Sequence, residues 1–134
     1  MTKLTDVEGI GPTYAGNLTA GGVRRQEHLL ELGATKAGRK KVAEASGCTE
    51  KQILEWVNRA DLCRIKGVGS EYSDLLECAG VDTVPELAGR NAENLAVKMK
   101  ELNDQKKLVR AVPSAKMVAG WVAQAKKLPR AVHY

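Results

Sequence analysis

The chain has 134 residues, of which 43% are hydrophobic and 28% are charged; this balance excludes a disordered chain, and the apolar runs are too short to cross a membrane. The segment MTKLTDVEGIG contains no apolar signal sequence and the three cysteines form no CxxC pair, so we expect a cytoplasmic protein without a leader or a membrane partner. The net charge of +5 favours an anionic partner. Residues 1–63 carry 9 basic and 8 acidic side chains, whereas residues 64–134 carry 12 basic and 8 acidic side chains. We therefore expect the second half of the chain to attract such a partner more strongly.

The first predicted helix follows a Gly-x-Gly turn in the stretch VEGIGPTYAGNL, residues 7–18. Its apolar residues recur at helical spacing. Pro12 suits the first helical position, since the N–H of that position has no partner in the helix. Gly21–Gly22 ends this helix, and a short second helix is predicted over Gln26–Leu32.

A third predicted helix runs from Lys36 to Ser46 and is stopped by Gly47. Thr49 and Gln52 have the spacing of a capping box, which indicates the start of a fourth helix. Trp56 lies on this helix beside apolar neighbours. We expect it to anchor the core rather than to stack on a base.

The second half of the chain repeats the first. The stretch IKGVGSEYSDLL, residues 65–76, aligns with residues 7–18, and SAKMVAGWV, residues 114–122, aligns with TEKQILEWV, residues 49–57. The offset between the copies grows from 58 to 65 residues, so the second copy holds seven additional residues. We expect them in a longer helix between residues 91 and 109.

A self-similarity of this length indicates that one unit was duplicated. No stretch alternates apolar and polar residues as a strand does, so the predicted fold is all-α. The predicted organisation is a first unit over residues 1–63, a second over residues 64–128 and a tail over residues 129–134.

The two glycine stretches, VEGIGPTYAGNLTAGGV and IKGVGSEYSDLLECAGV, resemble helix-hairpin-helix motifs, whose pattern is apolar-x-Gly-apolar-Gly. The first whole unit, with a second hairpin in ASGCTEKQILEWV, resembles the paired helix-hairpin-helix domain of DNA polymerase β, the Holliday-junction protein RuvA and the N-termini of recombinases. Two tandem units resemble a bacterial family of small helix-hairpin-helix proteins of unknown function. The resemblance covers residues 4–128 and implies two paired units of the SAM-like, recombinase-N-terminal type.

The resemblance also implies binding to duplex or branched DNA without sequence preference. Glycine lets a phosphate approach the backbone, and the N–H groups and dipole of the following helix attract the anion. Arg64 and the basic residues after Lys98 would add longer-range attraction. The full set of implied nucleic-acid-binding residues is Gly9, Ile10, Gly11, Thr13, Gly47, Thr49, Lys51, Arg64, Lys66, Gly67, Val68, Gly69, Ser70, Ser114 and Lys116.

Three departures from the family pattern weigh against DNA binding. Glu8 stands beside the first glycine of copy one, and Glu71 follows the second glycine of copy two. In the second hairpin of copy two, Val112 and Pro113 replace a Gly-Cys pair, which removes one N–H. The alternative is therefore a protein–protein interaction or adaptor module with degenerate hairpins and no DNA binding.

Other functions find less support in the sequence. Thr49 to Asn58 also fits the recognition helix of a helix-turn-helix motif, but its exposed side is not basic. The Gly-x-Gly turns lack the third glycine of a dinucleotide-binding loop, and a tyrosine stands in its place. No catalytic motif or metal-ligand spacing occurs, so we expect no enzyme, no metal, no cofactor and no small-molecule substrate.

Overall fold

The computed structural model describes residues 3–7 and 9–133. Glu8, the acidic residue expected beside the first hairpin, lies outside the described residues. The described residues form a short 3-10 helix at Leu4–Asp6 and eight α-helices without a β-strand, which confirms the predicted all-α class. None of these helices has the length and apolar character needed to cross a membrane. The helices are α1 (Pro12–Ala20), α2 (Gln26–Leu32), α3 (Lys36–Ser46), α4 (Glu50–Leu62), α5 (Ser70–Cys78), α6 (Val84–Ala88), α7 (Ala92–Lys106) and α8 (Ala115–Lys127).

The described chain divides into two compact units. The first contains the residues up to Asp61 together with residues 131–133, and the second contains Leu62–Arg130. The sequence places this boundary two residues later and treats residues 129–134 as a tail. In the structure Val132 is buried in the core of the first unit, and the His133 N–H donates to the Ala34 carbonyl at 2.7 Å. An apolar side chain and a paired backbone therefore attach this end of the chain to the first unit.

In the first unit the helices begin where local chemistry favours them. Pro12 occupies the first turn of α1. The capping box of α4 is confirmed, since the Gln52 N–H donates to Thr49 Oγ1 at 3.1 Å and the Thr49 N–H donates to Gln52 Oε1 at 3.0 Å. Helix α3 packs against α1 and α2. The fully buried side chains of this core include Leu18, Val23, Leu29, Ile53 and Val57.

In the second unit α7 and α8 pack together, α6 packs on α8, and α5 packs on α7. Helix α7 has 15 residues against 11 in α3, and the connection to the next helix spans residues 107–114 instead of 47–49. The additional residues are thus divided between helix and loop, not confined to the helix as expected. The fully buried side chains here include Leu75, Leu76, Leu87, Met99 and Val118.

The longer loop of the second unit is anchored by one buried side chain. Asn103 Nδ2 donates to the Val109 carbonyl at 3.1 Å, and the Val109 N–H donates to Asn103 Oδ1 at 2.9 Å. Both hydrogen bonds are buried, so this amide satisfies two backbone groups that water cannot reach. The loop begins at Lys107, which ends α7 in the left-handed region with φ +52°.

Candidate functional site

The first unit contains a tight turn that ends in a glycine N-cap. Gly9 has φ +92°, in the region that favours glycine. The Ile10 N–H closes the turn by donating to the Val7 carbonyl at 3.0 Å. Gly11 is the N-cap of α1, and its carbonyl accepts from the Ala15 N–H at 2.9 Å. The turn therefore leads directly into the start of α1.

The second unit contains a turn with the same hydrogen bonds. Gly67 has φ +97°, and the Val68 N–H donates to the Ile65 carbonyl at 3.0 Å. Gly69 is the N-cap of α5, and its carbonyl accepts from the Ser73 N–H at 2.9 Å. We call residues 7–11 and 65–69 the first and second glycine hairpins.

The first glycine of each hairpin is required by the fold. A Cβ added to Gly9 would lie 3.2 Å from Trp56 Nε1, and one added to Gly67 would lie 3.2 Å from Trp121 Nε1. Both tryptophans are buried, with 4% and 3% of their surface exposed, which confirms their expected role as core anchors. Positive φ thus strains any other residue at these two positions, and the close contact with tryptophan adds to the cost of a side chain.

The second glycine of each hairpin has no such requirement. Gly11 has φ −86° and ψ −177°, and Gly69 has φ −104° and ψ −163°, values that any residue adopts. A Cβ at either position would meet nothing within 4 Å. Ser, Asp or Asn would also cap the helix at least as well as glycine does. Nothing in the fold of either unit demands glycine here.

Because these N-caps are glycine, no side chain caps α1 or α5. The N–H groups in the first turn of a helix have no partner within that helix, and the dipole makes this end partly positive. Gly11 and Gly69 are both exposed, so these helix starts face solvent. Four other helices do receive a side-chain cap, from Thr35, Thr49, Asn91 and Ser114.

In each unit a tyrosine in the helix after the glycine hairpin contacts the start of the unit's last helix or the loop before it. We call the segments before α4 and α8, residues 47–49 and 107–114, the second connections. In the first unit Gln52 Nε2 donates to the Tyr14 hydroxyl at 3.1 Å, which brings the starts of α1 and α4 together. In the second unit the Tyr72 hydroxyl donates to the Ala111 carbonyl at 2.9 Å, which joins the start of α5 to the loop before α8. Each tyrosine also packs against the tryptophan of its unit, with ring centroids 5.1 Å and 5.2 Å apart.

The second connections differ between the two units. In the first unit Gly47 ends α3 with φ +73°, and Lys51 is exposed in the first turn of α4. In the second unit Ser114 caps α8 by accepting from the Met117 N–H at 3.2 Å, and Lys116 is exposed in the first turn. The buried Pro113 precedes this cap, so the second unit has no glycine turn here. Each unit therefore has a glycine hairpin before one helix, α1 or α5, and an exposed lysine in the first turn of another, α4 or α8.

Several predicted site residues are already engaged within the protein, including the helix caps described above. The N–H groups of Ile10 and Val68 donate to carbonyls inside their own hairpins, and both side chains are buried. The N–H groups of these two residues close the turns, so they are not free to donate to a phosphate in this conformation. Arg64 Nη2 donates to the Pro129 carbonyl at 2.8 Å, because the end of the second unit runs beside it.

One residue near the second hairpin was not singled out from the sequence. Gln124 Oε1 accepts from the Lys66 N–H at 2.9 Å, and Gln124 Nε2 donates to the Lys66 carbonyl at 3.2 Å. This amide holds the backbone just before Gly67, while the side chain of Lys66 stays exposed. No sequence pattern marks a contact across 58 residues.

Glu71 is exposed in the first turn of α5, where its charge opposes an anion.

Among the described residues no group of three or more His, Cys, Asp or Glu side chains could hold a metal ion.

Comparison with known proteins identifies the family of the chain. No curated protein and no solved structure matches the sequence. One family model, described as "Domain of unknown function (DUF4332)", matches residues 8–128 and so covers the second glycine hairpin and all of the first except Val7. The chain belongs to the DUF4332 family.

Proposed function

We propose that this protein binds nucleic acid, specifically duplex or branched DNA, without sequence preference. In this proposal each unit is a paired helix-hairpin-helix unit, and the two glycine hairpins present backbone N–H groups to phosphates. Contacts of this kind hold a duplex in register but carry no sequence information. Two such sites on one chain also raise the effective concentration of each for the same DNA molecule.

The observation that carries the proposal is the glycine at the N-cap of α1 and of α5. Gly11 and Gly69 adopt ordinary extended conformations, and a side chain at either would project into open space. Packing therefore does not explain why both positions are glycine. A phosphate seated on the first-turn amides explains it, because any Cβ would stand between the ligand and the backbone.

The exposed cations near the helix starts support the same proposal. Lys51 and Lys116 lie in the first turns of α4 and α8, and Lys66 lies beside Gly67. Lysine near bound phosphate adds attraction that falls with salt, since binding releases counterions. Four to six phosphate contacts correspond to a slope of about −4 to −5 for log affinity against log salt.

The test is fluorescence anisotropy with a labelled duplex of about 30 base pairs and a four-way junction, at salt concentrations from about 50 to 200 mM. The hairpin variant carries Gly11→Asp and Gly69→Asp, which adds a carboxylate at each proposed phosphate site. The control variant carries Gly16→Asp and Gly120→Asp. These are exposed helix glycines, one in each unit, whose Cβ would also meet nothing within 4 Å.

Both variants lower the net charge by the same amount, so a difference between them reports position and not total charge. We expect the hairpin variant to lose affinity at least tenfold more than the control. Equal losses would mean that the hairpins are not phosphate sites. No binding by the wild-type protein at low salt would contradict the proposal and favour the interaction-module alternative.

A further inference from the structure

A basic cleft of about 480 Å³ lies on the first unit. Its basic residues are Lys3, Arg24 and Arg25, and all three are exposed. Among the described residues that line it, none is acidic. The sequence does not suggest this cleft, because the first half of the chain is nearly neutral overall. The remaining lining residues are Leu4, Thr5, Ala15 and Thr19.

The backbone holds two of these cations opposite each other. Lys3 and Arg25 form an antiparallel bridge, an arrangement that puts opposed side chains on the same face about 5 Å apart at Cβ. Gln26, which is only 4% exposed, fixes the bridge by donating from Nε2 to the Lys3 carbonyl at 3.0 Å. Arg24 is adjacent in the chain and lines the same cleft.

Like charges that face each other across a bridge repel, and this costs stability unless an anion lies between them. Within the part of the chain that the structure describes, none of the three cations is ion-paired to a carboxylate. The cleft therefore concentrates three positive charges that no carboxylate of the described residues pairs with. An anion of the right size would remove the repulsion and gain attraction from all three.

We propose that this cleft is an additional phosphate site and that its occupant is the phosphodiester backbone of the nucleic acid held by the first glycine hairpin. This inference rests on the proposed function. Ala15 lines the cleft, and its N–H donates to the carbonyl of Gly11, so the cleft begins one helical turn beyond the hairpin along α1. One turn is about 5.4 Å, a step that one strand covers from the phosphate on the hairpin to a neighbouring one.

The shape of the cleft favours a polymer backbone over a small molecule. Small-molecule sites enclose most of their ligand and are lined mainly by apolar side chains. Of the described residues that line this cleft only Leu4 is buried, and Thr5 and Thr19 are exposed like the three cations. An open, cationic wall attracts a charged strand but cannot surround a compact ligand.

The test compares two charge-matched variants of the full chain in the same anisotropy titrations. The cleft variant carries Lys3→Gln, Arg24→Gln and Arg25→Gln. The control carries Lys36→Gln, Lys40→Gln and Lys41→Gln, three exposed lysines of α3 in the same unit. We expect the cleft variant to bind DNA at least tenfold more weakly than the control and to lower the salt slope by about two to three, one for each phosphate contact removed. Its melting temperature should not fall, because the substitution relieves repulsion.

The outcomes separate this inference from the proposed function. If the cleft variant binds as the control does, while the Gly11→Asp, Gly69→Asp variant loses binding, the cleft proposal is wrong and the hairpin proposal stands. If the cleft variant loses binding and the hairpin variant does not, the cleft is a DNA contact but the hairpins are not phosphate sites, so the hairpin proposal is wrong, and so is the statement that the first hairpin and the cleft hold the same strand. If the wild-type protein binds no DNA, both are wrong.

Discussion

The two glycines of one hairpin should respond very differently to the same substitution. Gly67 and Gly69 are two residues apart, and both are exposed. We expect Gly67→Ala to destabilise the second unit, whereas Gly69→Ala should leave its stability nearly unchanged. The contrast follows from backbone conformation and from the position of Trp121, not from exposure.

The size of the effect follows from the geometry. At Gly67, φ of +97° costs alanine about 1 to 3 kcal/mol, and the new Cβ must move away from Trp121 Nε1, which lies 3.2 Å from its ideal position. The loss of unfolded-state entropy offsets about 0.4 to 1 kcal/mol of this. With the contact against Trp121 added, the net expectation is a loss of about 1 to 2 kcal/mol. At Gly69 the same entropy gain is balanced by a poorer N-cap, and the net change stays within about 0.5 kcal/mol of zero.

The assay is urea unfolding followed by tryptophan fluorescence in a Trp56→Phe background. The chain has two tryptophans, so this background leaves Trp121 as the sole reporter, and it lies beneath the second hairpin. A loss of about 1 to 2 kcal/mol corresponds to roughly 5 to 10 °C in the melting temperature of a unit this size. Equal destabilisation by Gly67→Ala and Gly69→Ala would refute the reasoning, as would a stable Gly67→Ala protein.

Three further predictions test other parts of the molecule. Glu71→Gln should raise DNA affinity, measured by anisotropy, about two- to fivefold, because a carboxylate no longer faces the phosphate at the start of α5. Unchanged affinity would mean that the phosphate binds elsewhere. Asn103→Ala should cost about 2 to 4 kcal/mol in urea unfolding, since it leaves the buried N–H and carbonyl of Val109 without partners, and a neutral result would mean that the loop is not anchored there. Val132→Ala should cost about 2 kcal/mol, measured through Trp56 in a Trp121→Phe background, and no change would show that the end of the chain does not belong to the first core.

Much of the secondary structure could be predicted because its determinants are local. Pro12 at a helix start and the Thr49–Gln52 capping box each depend on residues within one turn. The expected bounds of α2 and α3 agree with the structure for the same reason. The division of the additional residues between α7 and its loop could not be predicted, because it depends on how Asn103 anchors Val109 after the chain has folded.

For the candidate site, the sequence predicts which segments take part but not the role of each residue in them. The glycine pattern indicates two turns before helices, but both glycines of a hairpin look alike in the sequence. Only the structure separates Gly9 and Gly67, which pack under tryptophan at positive φ, from Gly11 and Gly69, whose surroundings are open. It also shows that the N–H groups of Ile10 and Val68 are used within the turns.

The sequence by itself determined the all-α class, the starts of α1 and α4, the bounds of α2 and α3 and the two tryptophan-anchored halves, because periodicity and capping act over a few residues. Tertiary packing alone decided that Val132 joins the first core and that Gln124 holds Lys66. Packing also brought Lys3 against Arg25, a contact that local rules of charge spacing do not anticipate. These contacts join residues that are distant in the chain. They form, and stabilise the protein, only after several helices have buried their apolar faces together.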